Sequence, residues 1–485
     1  MKSDNGLYKL IYEYFETRLL YGYYACGDSL PSIARIGDMF RMAPGTVRSA
    51  LALLEKKGYI RIDARKTARV IYEAPRVSFR KNAALYFVPR RNGIMDLAES
   101  GKLLFEPLWE EGLRRMDQKT WDRFCRPPEG PFQGAVSMPV SFYIMVLSNL
   151  NNRLILDLYW ETIRYIRFPY LDNKADTETE VWNAGELSQE EVISALRNRF
   201  EVSYGKAASE LFAFMDEAEN EFSLKQVKQI PFCWDVFRSR PQRRYSLASR
   251  IIREIIHGSY PAGSYLPSLP RMADRYGVGM NTIRRALDIL EDLGMTRSYH
   301  GKGTIVCTEP EKIEAAGREI REGIELYQES LQLLALTISQ VLLYTLRVEG
   351  EEVQKRLGES FSWYLQEGKG YLCFEICMTF IVEKCPLALV RECYQKIREL
   401  LPWGYPFSLL RMKGKSLHSV YAGCTEQAVE YLKNGRPEEF ADSWRRIVET
   451  EESQFRAFIR DSFPLPDPHG AMERQAPGQP APGTI

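Results

Sequence analysis

The sequence predicts a mainly α-helical chain in which two small three-helix units, each closed by a two-stranded β wing, alternate with two all-helical bundles. Three observations lead to this expectation. Sliding the 485-residue sequence against itself by 236 residues aligns 22–62 with 258–298 without a gap, and 16 of those 41 positions are identical. Chance would leave only a few such matches, so one supersecondary unit is written twice. Between and after the two copies, apolar residues recur at helical spacing and strand-like alternation is scarce. Finally, a chain of this length is too long for one hydrophobic core, so several domains are expected.

Each copy reads as helix, turn, helix, turn, helix, then two strands. Residues 7–20 and 246–256 carry helical apolar spacing. The loops GYYACGDSLPS (22–32) and GSYPAGSYLPS (258–268) are built from turn formers. Ser32 and Ser268 stand where a hydroxyl can accept from the first-turn amides of a second helix. The third helix, 44–57 and 280–293, has Val47, Ala50, Leu51 and Leu54, or Ile283, Ala286, Leu287 and Leu290, as its inner stripe. Gly58 and Gly294 follow it, as residues able to take the positive φ that ends a helix. YIRIDARKTARVIY and MTRSYHGKGTIVCT then alternate around short basic or glycine-rich tips, the pattern of a hairpin wing.

This order is that of a winged helix-turn-helix. Both copies resemble the DNA-binding domain of the GntR family of bacterial transcription regulators, through G-x-Y-x-x-G-x-x-L-P-S followed by T-[VI]-R-x-A-L-x-x-L-E-x-x-G. The resemblance implies a recognition helix whose first residues meet bases while neighbours hold phosphates. In copy one these are Pro44, Gly45, Thr46 and Arg48; in copy two, Met280, Asn281, Thr282 and Arg284. Asparagine can pair with adenine and arginine with guanine or phosphate, so copy two has the better base-reading chemistry. Its wing tip, His300, Gly301 and Lys302, is similar to the family's, whereas copy one offers Arg65 and Lys66 without glycines. The arginine expected soon after L-P-S stands at Arg35 and Arg271, one position from the family's place, which puts its contact in doubt.

Segments 76–236 and 310–462 are the helical bundles, separated by the basic linker at the head of 237–309; 1–75 is the first winged unit and 463–485 a Pro- and Gly-rich tail expected to be disordered. At an offset of 230, Gly93-Ile94, Glu99-Ser100 and Leu103-Leu104 match Gly323-Ile324, Glu329-Ser330 and Leu333-Leu334, so the duplication is expected to include the bundles. The bundles resemble the all-helical FCD effector domain, most visibly in FYIMVLSNLNNRL (142–154). That resemblance implies a metal held by an aspartate and three histidines, but the first histidine position is Tyr143 or Glu375, and the chain has four histidines in all. No metal and no cofactor are therefore expected. Tyr143, Tyr159, Arg164 and Glu375 are candidates for lining a small-molecule pocket, against the blander reading of aromatic core and surface charge. Cys373 and Cys377, one helical turn apart, read as small hydrophobes before they read as a thiol sensor.

The formal net charge of +1 does not by itself point to a polyanion. Its distribution does: residues 35–69 hold nine Lys or Arg against three Asp or Glu. Nine cysteines at irregular spacing suit a reducing cytoplasm, and no secretory signal or bilayer-length apolar run is apparent. The expected function is sequence-specific binding of a double-stranded DNA operator by two heads in one chain, with helical domains that sense a small molecule or mediate dimerisation. A ligand-binding or protein-interaction module that kept degenerate winged helices is the alternative. No enzyme motif is found: there is no nucleophile elbow, phosphate-cradling glycine loop or histidine-rich metal signature.

Overall fold

The computed structural model describes residues 7–20, 24–40, 42–63, 67–73, 76–125, 143, 145–167, 188–236, 242–308, 310, 313, 317–412 and 416–463. The expected linker at 237–241, the copy-one wing tip at Arg65 and Lys66, and the tail beyond 463 lie outside these residues.

The first unit is α1 (Leu7–Leu20), α2 (Ile33–Phe40) and α3 (Pro44–Lys56), closed by β1 (Ile60–Arg61) and β2 (Arg69–Val70). After the first bundle, the second unit repeats it with α9 (Gln242–Ile256), α10 (Leu269–Tyr276), α11 (Met280–Asp292), β3 (Thr296–Tyr299) and β4 (Gly303–Val306). Ser32 accepts from the amide of Arg35 at 3.2 Å, whereas Ser268 makes no side-chain cap. Gly58 and Gly294 take φ of +79° and +69° and turn the chain from the third helix into the wing. The opening loop also pairs with the wing, through an isolated bridge of Ser29 with Arg69 and of Tyr265 with Ile305. Gly27 donates to the carbonyl of Val70 and Gly263 to that of Val306, both at 2.9 Å; Leu30 donates to Ala68 and Leu266 to Thr304. Each bond in copy two falls 236 residues after its counterpart, so the two units share register as well as element order. Val47, Ala50, Leu51 and Leu54 are buried, as are Ile283, Ala286, Leu287 and Leu290.

The first bundle comprises α4 (Arg76–Phe87), α5 (Arg91–Arg114), α6 (Gln118–Cys125), α7 (Arg153–Ile166) and α8 (Gln189–Glu221). The second comprises α12 (Arg318–Glu349), α13 (Glu351–Gln366), α14 (Cys373–Lys384), α15 (Ala388–Leu400), α16 (Tyr405–Met412), α17 (Leu417–Lys433) and α18 (Pro437–Ser462). By length and hydropathy, Glu319–Glu349 could cross a membrane. Instead, its apolar residues, among them Leu331, Leu334, Ile338, Val341 and Leu342, form the centre of the second bundle. Gly323 admits the ring of Trp403 so closely that an added Cβ would lie 2.5 Å from it, and Gly93 stands in the same relation to Tyr165. These are the two glycines matched at an offset of 230.

The bundles join reciprocally through α5 and α12. At the start of α7 the Asn152 carboxamide donates to the Glu329 carbonyl and to Gln332 Oε1, each at 2.9 Å, while Gln332 donates back to Leu150 at 3.1 Å. At the start of α15 the amides of Ala388 and Leu389 donate to the Asp96 carboxylate on α5 at 2.6 and 2.9 Å. Each long helix therefore serves the N-terminus of a helix in the opposite bundle, where an acceptor satisfies otherwise orphan amides. Trp234 adds a third tie: its indole N–H donates to Asp157 on α7 at 3.0 Å and its amide to Glu392 on α15 at 2.9 Å.

Candidate nucleic-acid interface

The third helix of each winged unit has one face in the core and one in solvent. On α11 the outer face carries Asn281, Arg284, Arg285 and Asp288, spaced so that all four lie on one side. Met280, at the helix start, is 46% exposed. Arg284 and Arg285 make no ion pair among the described residues, so their guanidinium donors are open to an outside acceptor. The corresponding face of α3 is Gly45, Arg48, Ser49 and Ala52, all exposed, with Pro44 at the start. Ser49 donates to the carbonyl of Gly45 at 3.1 Å, which leaves Arg48 as the long cationic group on that face. Neither N-cap, Ala43 nor Gly279, closes a side chain over the first-turn amides, the arrangement that suits a phosphate oxygen.

Thr46 is buried and Thr282 half-buried; their amides donate to Ala43 and Gly279 at 3.0 and 2.9 Å. Both threonines thus help to set the first turn of the helix. Arg35 and Arg271 are exposed on α2 and α10. At the second wing, His300, Gly301 and Lys302 form an exposed tip in which Gly301 takes φ of +73°. Gly303 follows at φ +104°, with the ring of Tyr265 3.5 Å from where a Cβ would stand. The structure therefore groups Met280, Asn281, Arg284 and the His300–Lys302 tip in one unit, and Pro44, Gly45, Arg48 and Arg35 in the other. Sequence reasoning passed over Arg285, although its position four residues after Asn281 was a readable signal, and over the exposed rings of Tyr265 and Tyr299.

The candidate pocket residues fall at other places. Tyr143 stacks on Tyr159 at 4.8 Å and on Phe200 at 5.9 Å within the first bundle. Burial alone is the main reason the Tyr143 hydroxyl is held far above its ordinary pKa. Arg164 forms a half-buried pair with Glu13 on α1 and a second with Glu161 at 2.9 Å, fastening the first winged unit to α7. Burial opposes its charge, but the hydrogen bonds and charges of Glu13 and Glu161 outweigh that and raise its pKa. Phe40 packs on Trp160 beside it, with ring centroids 5.9 Å apart. Glu375 accepts from Arg398 Nε at 2.7 Å and lies 3.4 Å from Arg253 on α9, so it links the second unit to its bundle. Cys373 is buried and its thiol is pushed up to about 12, mainly by burial, which leaves it uncharged at neutral pH. Among the described residues, no three His, Cys, Asp or Glu side chains converge as a metal-holding group.

Comparison with known proteins matches both winged units. The family model for bacterial regulatory proteins of the gntR family covers residues 7–70 and 244–306. The uncharacterized HTH-type transcriptional regulator YhcF of Bacillus subtilis is 28% identical over 107 residues, which is 22% of this chain and 88% of YhcF. An uncharacterized HTH-type transcriptional regulator of Mycobacterium tuberculosis is 32% identical over 94 residues, 18% of this chain and 38% of that protein. The chain thus spans well under half the length of this mycobacterial relative. A solved GntR transcriptional regulator from Rhodococcus sp. RHA1 aligns with 44% of this chain and 98% of its own, at 16% identity and a TM-score of 0.24. The chain therefore carries the GntR-family helix-turn-helix domain of bacterial transcription regulators twice.

Proposed function

We propose that this chain is a DNA-binding transcription regulator of the bacterial cytoplasm in which one polypeptide supplies both heads that family members normally obtain by pairing two chains. The observation that carries this reading is the outer face of α11, where Asn281, Arg284 and Arg285 stand together in solvent, with an exposed His300–Lys302 wing tip in the same unit. Those groups suit base edges in a major groove and phosphates beside it. The second head then provides most of the sequence readout, and the first, with Arg48 and the basic wing residues Arg65 and Lys66, mainly grips phosphate. Repetition of loop, helix and wing hydrogen bonds at one offset supports a tandem duplication of the whole unit. The reciprocal contacts of Asn152 with α12 and of Asp96 with α15 support an internal pseudo-dimer of two FCD-like effector domains that answers to a small molecule.

The test is footprinting of the purified chain on the DNA upstream of its own operon, at low and at moderate salt, alongside the Arg284→Ala and Arg48→Ala variants. Protection by the wild type that Arg284→Ala abolishes supports the reading. Absence of protection at both salt concentrations overturns it.

A further inference from the structure

A cleft of about 690 Å³ lies where α9 of the second head meets α14 and α15 of its bundle, with Ser246, Ser249, Arg253, His257, Glu375 and Arg398 in its walls. Through the shared walls Arg253, His257 and Glu375 it adjoins a narrower chamber of about 90 Å³, which Tyr327, Tyr371 and Tyr405 help to line. Within the cleft the single carboxylate of Glu375 serves two guanidinium groups, those of Arg253 and Arg398. Two further carboxylates line the cleft and are already engaged: Glu254 holds Arg250, Arg275 and the Tyr276 hydroxyl, and Glu399 holds Lys396 and Gln395. Arginine has five N–H donors in a fork, so two forks sharing one carboxylate retain donors for a further anion.

The first half closes the same junction. Glu13, 236 residues before Ser249, pairs with Arg164, two residues before the end of α7; Arg398 stands two residues before the end of α15. Serine in place of glutamate removes the carboxylate that would answer Arg398 and leaves room. Ser249 donates instead to the backbone carbonyl of Glu399.

We propose that this junction is the binding site for a phosphorylated small molecule, whose phosphate bridges Arg253 and Arg398 in competition with Glu375. A dianion matches two guanidiniums better than a monoanion does. Because the Arg253–Glu375–Arg398 link is one of the ties between α9 and the bundle, beside those of Arg244 to Glu319, Tyr245 to Glu322 and Ser249 to Glu399, occupancy changes how firmly the second head is held. That consequence for regulation rests on the DNA-binding reading above; the site itself does not.

The experiment uses the full chain with inorganic phosphate as the probe, against chloride at matched ionic strength. Phosphate is expected to raise the melting temperature of the wild type by on the order of 2 °C and to leave Arg398→Gln and Ser249→Glu, each checked for native circular dichroism, unmoved. Arg284→Ala, altered only at the DNA face, should respond like the wild type. No response in the wild type, an undiminished response in Arg398→Gln, or an equal response to acetate overturns the proposal. In the second arm, phosphate should change operator affinity several-fold in the wild type and not in Arg398→Gln. Stabilisation without a change in affinity retains the site and refutes the coupling. A chain that binds no DNA refutes the regulator reading, while the melting arm still decides the site.

Discussion

Arg284 and Arg48 hold the same place in two copies of one unit, yet their neighbours differ. Asn281 and Arg285 flank Arg284 on the outer face of α11, whereas Gly45 and Ser49 flank Arg48. Replacing Arg284 by alanine should weaken operator binding by roughly 1–3 kcal/mol and relax sequence preference, because a base contact is lost. Arg48→Ala should weaken binding to all sequences alike and reduce the salt slope by about one, the loss expected for a phosphate contact. Binding curves at several salt concentrations on specific and random DNA separate the two. A second residue-scale prediction concerns Asp157, whose carboxyl is pushed up to about 7, chiefly by burial, against the opposing hydrogen bond from Trp234. Its folded pKa lies above its unfolded one, so the folded state holds the proton more tightly. Its contribution to stability is present below about pH 4 and is lost as pH rises towards 7. Asp157→Asn keeps an oxygen for the Trp234 N–H and should flatten that slope, with a gain of roughly 1–3 kcal/mol near pH 8. Thermal melts from pH 4 to 8 would show it; an unchanged slope would contradict the assignment.

Among the elements, the recognition helices and wings were legible because their signals are local. An apolar stripe, a glycine at positive φ and a repeated hydrogen-bond register lie within a few tens of residues of one another. The docking of each head was not legible. Glu13 and Arg164 meet across 151 residues, and nothing in helical periodicity says which distant charge a half-buried arginine will choose. Arg164 and Glu375 read in sequence as pocket candidates; the structure pairs Arg164 with Glu13, and places Glu375 both in a head-to-bundle ion pair and in the wall of the cleft between α9, α14 and α15. The serine caps show the same limit on a smaller scale: the residue type permits a cap at Ser32 and Ser268, but only Ser32 makes it. Gly93 and Gly323 stood out in sequence only as matched positions; their packing reason appears once Tyr165 and Trp403 are seen against them. Gly323→Ala should cost roughly 1–3 kcal/mol, since the fully buried Trp403 ring cannot yield. Urea unfolding would test this, and a variant as stable as the wild type would contradict it.

At the scale of the whole molecule, the two bundles hold each other through Asn152, Asp96 and Trp234. A single 56.1 kDa species is therefore expected in sedimentation equilibrium at micromolar concentration. Replacing Asn152 and Asp96 together by alanine should loosen the bundles, seen as faster limited proteolysis, without removing DNA binding by either head. On the proposed reading, divergence of the heads within one chain lets the two half-sites differ, which identical subunits of a symmetric dimer do not favour. The most direct measurement is a DNA-affinity selection on the full chain, repeated with Arg284→Ala and with Arg48→Ala. The expected result is one site with two unequal halves for the wild type, loss of the selected sequence with Arg284→Ala, and the same sequence at weaker affinity with Arg48→Ala. Selection of no sequence by the wild type, or a preference that survives Arg284→Ala and disappears with Arg48→Ala, would contradict it.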